Sequence, residues 1–115
     1  MDVSMNILLV NFTEGKQKEL EEFLNTQGYK VYFADTDLEA VQILNNINIS
    51  DVIVHLIKIL NIGLINYINN HFSDIRVLLV TNNYVEQAIS VIKSTACEII
   101  HEPFTLADFR QTLQN

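Results

Sequence analysis

The chain has 115 residues, seven basic and fourteen acidic side chains, a net charge of −7 and 49% apolar residues. That length makes one domain, spanning 1–115, and that apolar content excludes a disordered polar chain. The acidic balance argues against direct nucleic-acid binding, which relies on Lys and Arg to neutralise phosphates. One cysteine, Cys97, excludes an internal disulfide, and no apolar run approaches the roughly 18 residues of a membrane span. A soluble, cytoplasmic protein without membrane contact is expected.

Met5 to Val10 is an almost unbroken apolar run, the mark of a strand buried on both faces. Thr13 is placed to cap a helix whose inward stripe is Leu20, Phe23 and Leu24, and Gly28 ends it. Val31 to Phe33 forms a short second strand. Asp35 or Thr36 caps a second helix, with Leu38, Val41 and Leu44 expected inward and a turn over Asn45 to Asn48. Asp51 to His55 is the third strand. From Leu56 to Asn70 the pattern is ambiguous: Ile57, Leu60, Leu64 and Ile68 have helical spacing, whereas Asn61 and Gly63 suggest a loop first. The apolar segment Leu56 to Leu60 is expected either to fold over the neighbouring crevice or to start that helix early. Ile75 to Thr81 is a fourth strand, Val85, Ile89 and Ile92 mark a fourth helix, and Cys97 to Ile100 is a fifth strand. Beyond Pro103, Leu106, Phe109 and Leu113 stripe a last helix.

Strands alternating with helices, with strands apolar on both faces, imply a parallel sheet covered on both sides. Right-handed crossovers leave few topologies. The expected α/β fold is a flavodoxin-like (βα)5 three-layer sandwich, its five strands in the order 2-1-3-4-5. Its functional crevice lies outside the strand carboxyl ends, beside strands 1 and 3. The residues there are Asn11 and Phe12, His55 and Leu56, Thr81 and Asn82, and Glu102 with Pro103. This set holds no cluster of acids for Mg²⁺, so no metal is expected. Gly15-Lys16 lacks the surroundings of a phosphate-binding loop, and His55, His71 and His101 lack zinc spacing. No cofactor is expected.

Several segments resemble the receiver domain of bacterial response regulators. They are NILLVN at strand 1, GYKV at Gly28 to Val31, ADTDLEAV at Ala34 to Val41, VLLVT ending at Thr81, and EPF at Glu102 to Phe104. The resemblance covers almost the whole chain. It implies a phosphotransfer site with an acidic pair after strand 1 for Mg²⁺, an acceptor aspartate after strand 3, a Ser/Thr on strand 4 and a lysine on strand 5. It also implies a cis peptide bond at Pro103. Here Asn11-Phe12 stands for the acidic pair and Glu102 for the lysine. Counting forward from Asp51 puts Leu56 at the acceptor position, and counting back from Gly63 puts His55 there, the preferred choice. Thr81 alone fits the pattern.

Phe12 has no donor atom to ligate Mg²⁺, and Glu102 places negative charge where a phosphoryl group needs positive charge. A like-charge pair at about 4 Å costs roughly 4 kcal/mol at an effective dielectric near 20. The resemblance therefore implies a pseudo-receiver without catalytic residues or enzymatic activity, acting through protein contacts in signalling or transcriptional regulation. In the family the face made by the fourth helix, fifth strand and last helix pairs receivers or docks partners. Here it offers Tyr84, Val91, Lys93, Glu98, Asp108 and Arg110, with the alternative that these charges are simply solvated. An effector domain beyond the chain end is compatible with this reading. Two other functions stay open: a phosphoryl acceptor in a phosphorelay using a non-standard site, and a small-ligand binder at the strand ends.

Overall fold

A computed structural model describes residues 5–56, 62–81 and 97–114. Strands β1 (Met5–Val10), β2 (Tyr29–Ala34), β3 (Asp51–Leu56), β4 (Arg76–Thr81) and β5 (Cys97–His101) form one parallel sheet in the order β2-β1-β3-β4-β5. Helices α1 (Glu14–Thr26), α2 (Asp37–Asn46), α3 (Ile62–His71) and α4 (Leu106–Gln114) cover it. The fourth helix read from Val85, Ile89 and Ile92 lies outside the described residues, as do Ile57 to Leu60.

Strand alternation divides the core in two. Leu8, Val10, Val52, Val54, Leu56, Val77 and Leu79 face α2 and α3, meeting Ala40, Leu44, Leu64, Ile65 and Ile68. Ile7, Leu9, Ile53, Leu78, Val80 and Ile100 face the other side, meeting Leu20, Leu24, Phe109 and Leu113 of α1 and α4. Each such side chain, once fully buried, contributes about 1.5–3 kcal/mol, so both faces of the sheet are anchored without disulfide or metal.

Local signals set the helix ends. The Thr13 hydroxyl accepts from the Lys16 N–H at 3.4 Å, and Thr36, rather than Asp35, caps α2 by accepting from the Glu39 N–H at 3.1 Å. Gly28 has φ 90°, a left-handed conformation that closes α1 without a Cβ penalty. Thr105 and Asp108 cap α4 reciprocally, each backbone N–H donating to the other's side chain at 3.1 Å.

Three expectations need correction. Leu38 is 68% exposed, because at 3.6 residues per turn it points about 160° away from Ala40, and Ala40 and Leu44 carry the buried face. The turn expected from Asn45 starts later, since α2 continues to Asn46 and the Ile47 N–H still donates to the Ile43 carbonyl at 2.8 Å. Gly63 lies inside α3 and not in a loop before it. Its cost of about 1 kcal/mol is outweighed by burial of Leu64, Ile65 and Ile68.

Candidate functional site

The strand carboxyl ends bring four of the sequence candidates into contact. After β1, Asn11 takes φ 69°, a left-handed conformation asparagine tolerates better than most residues. Its N–H donates to the Ala34 carbonyl at 3.1 Å, while its own carbonyl oxygen lies 3.4 Å from His55 Nδ1. Phe12 is 5% exposed and belongs to the α1-side core. Its ring stacks on the His55 imidazole with centroids 5.1 Å apart and planes 13° from parallel. His55 Nε2 meets Glu102 Oε1 at 2.8 Å.

Strand alternation explains which side chains meet. His55 follows Ile53 onto the α1 side of the sheet, above Phe12. Leu56 points to the other side, is fully buried, and stands opposite Thr81 in the register. The two candidate acceptor positions thus divide: Leu56 lies beside Thr81, and His55 meets Glu102. Neither carries a carboxylate. Thr81 is fully buried at the end of β4, and its carbonyl accepts from the Glu102 N–H at 2.8 Å, which fixes the start of the β5–α4 turn. The Glu102–Pro103 bond in that turn is cis. Lys16 of α1 reaches the same turn but is spent, 3.1 Å from Glu19 and 5.4 Å above the Phe104 ring.

The site can hold a proton or a charge pair, since it combines one imidazole with one carboxylate. Among the described residues no group of three or more His, Cys, Asp or Glu side chains converges as metal ligands. A cleft of about 570 Å³ lies at the opposite end of the sheet, lined by Asn45, Asn48, His71 and Asp74 among others. It is made of turns after α2 and α3, away from the crevice.

Of the expected interaction face, Tyr84, Val91 and Lys93 lie outside the described residues. Two of the three described members are engaged within the chain: Glu98 lies 3.3 Å from Arg76 Nε, and Asp108 caps α4. Arg110 is exposed. Sequence reasoning missed Arg76, whose guanidinium donates to the Leu113 carbonyl at 2.8 Å and to the Thr112 carbonyl, and sits 4.0 Å from Asp51. A lone arginine opening an apolar strand was the signal available. No described helix is long and apolar enough to cross a membrane.

No protein-family model and no curated protein matches the chain. Solved structures do. A response regulator from Thermotoga maritima superposes with TM-score 0.83 at 22% identity, over 97% of this chain and 96% of that one. The non-phosphorylated HemR receiver domain from Leptospira biflexa gives 0.81 at 26% identity, over 96% and 92%. NtrX from Brucella abortus, in complex with ADP, gives 0.83 at 18% identity, over 97% of this chain but 26% of that one. The chain therefore has the fold of response-regulator receiver domains and resembles that family along almost its whole length.

Proposed function

We propose that the chain is a degenerate receiver module, independent of phosphorylation, that works in bacterial signalling by contact with another protein. The observation that carries this reading is the His55–Glu102 contact at 2.8 Å, in the crevice where the resemblance calls for an aspartate and a lysine. A phosphoryl acceptor needs a free lone pair. Leu56 has none, and both nitrogens of His55 are turned toward oxygen atoms within the chain. A receiver also needs a cation to draw charge from the transferring group, an effect worth several kcal/mol. Asn11 supplies at most a neutral carbonyl and Phe12 supplies nothing. The Glu102 carboxylate repels an incoming phosphoryl group. The fold is preserved without the chemistry, which leaves the module's surface as its means of action. Support for a module within a larger regulator comes from NtrX, of which the matched part is 26%.

Incubation with a small phosphoryl donor and Mg²⁺, followed by intact-mass measurement, tests this. The expected result is an unchanged mass. Stoichiometric gain of one phosphoryl group would sink the reading and establish a non-standard acceptor.

A further inference from the structure

His55 has an unusual pair of partners. Nδ1 faces the Asn11 carbonyl oxygen at 3.4 Å, and Nε2 faces a Glu102 carboxylate oxygen at 2.8 Å. A backbone carbonyl has no proton to give, and neither has an ionised carboxylate. Neutral imidazole donates at one nitrogen and presents a lone pair at the other; only the doubly protonated ring donates at both. Phe12 lies flat against the ring, holding its plane and offering an aromatic face that favours a cation. Asn11 and Phe12, which follow β1, meet the ring, and its chain neighbour Leu56 and its register partner Val80 on β4 carry no charge. The nearby Lys16 is engaged by Glu19 and Phe104.

These contacts join three separate parts of the fold. The β1–α1 turn supplies Asn11 and Phe12, β3 supplies His55, and the β5–α4 turn supplies Glu102. Three residues after Glu102, Thr105 opens the cap of α4. We infer that the His55–Glu102 pair is an internal hasp, filling the crevice with the chain's own charges and fixing where the first turn of α4 sits on the sheet. This rests on the reading that the crevice takes no phosphoryl group, and it names what holds the crevice instead. The face beside α4 is then presented in one arrangement without any external ligand, and breaking the pair releases it.

Charge reversal tests the hasp. Backbone hydrogen exchange over residues 98–110 is followed at about pH 5.5, where ordinary histidines are mostly protonated and glutamates mostly ionised. In the wild-type chain, Glu102→Lys is expected to speed exchange there about tenfold, within the range for reversing one charge of a part-buried pair. In a His55→Asp background the same Glu102→Lys substitution is expected to slow exchange, because opposite charges again face each other. Glu102→Gln, which keeps the shape, is expected to speed exchange by about threefold with an unchanged far-UV spectrum. An effect of Glu102→Lys with the same sign in both backgrounds overturns the hasp, as does unaltered exchange in Glu102→Gln. The phosphoryl-donor measurement is made on the unmutated chain, so a mass gain there refutes the parent reading whatever the charge reversal gives.

Discussion

At the amino ends of the strands, Arg76 sits among the carboxylates of Asp51 and Glu98 and the last carbonyls of α4, with Tyr29 near Asp51. At the carboxyl ends, His55 sits between Glu102, Phe12 and the Asn11 carbonyl. Both clusters tie separate elements through one cationic or potentially cationic side chain. The lower one is a brace: the guanidinium never loses its charge, and its donors finish a helix whose last carbonyls need partners. The upper one centres on an imidazole, whose two ring nitrogens face oxygen atoms, and lies where this fold places its chemistry. Charge density does not separate the two. Location in the topology and the chemistry of the central group do.

The largest effect expected is at the floor of the upper cluster. Phe12→Ala removes a ring that is both core and the face on which His55 rests, and should lower unfolding free energy in urea by about 3 kcal/mol. A loss below about 1 kcal/mol would mean that the ring is not part of the core. Next comes the brace. Arg76→Met keeps the stem but leaves Asp51, 8% exposed, without its guanidinium, and should cost about 2–3 kcal/mol by the same measurement. The upper pair is more open, with side chains 18% and 35% exposed, so Glu102→Gln should cost only about 1 kcal/mol. If Glu102→Gln proves costlier than Arg76→Met, the distinction between brace and hasp is reversed.

The smallest effect lies in the brace at high pH. Burial raises the Tyr29 phenol above 10.0, the Asp51 charge and hydrogen bond add to the rise, and Arg76 opposes it. The unfolded chain therefore loses this proton first. The stabilising contribution is fully present below about pH 10 and fades as pH climbs through the higher folded value. Tyr29→Phe should remove that alkaline fall, read as the midpoint of thermal unfolding against pH.

The sheet was legible because each strand is a compact apolar run, and the order of β1 to β5 follows from alternation and handedness. Caps at Thr13 and Thr36 were legible because they are local. Leu38 misled because its spacing to Val41 drew the stripe toward the wrong side of α2, while small Ala40, which faces the core, gave little hydrophobic signal. In the crevice, the resemblance put His55 and Glu102 at facing positions and so allowed a pair, with an outward-turned Glu102 as the alternative. His55 and Glu102 are 47 residues apart, and their meeting depends on the side to which β3 turns alternate residues. The brace around Arg76 was invisible for the same reason, its partners being spread over β3, β5 and α4.

In the proposed module the chain's own side chains occupy the crevice and leave no place for the metal that phosphoryl transfer requires. Amide chemical shifts recorded through a millimolar Mg²⁺ titration test it most directly. Small, non-saturating shifts scattered over the acidic surface are expected. Saturable shifts concentrated at residues 11, 12, 55 and 102 would contradict it.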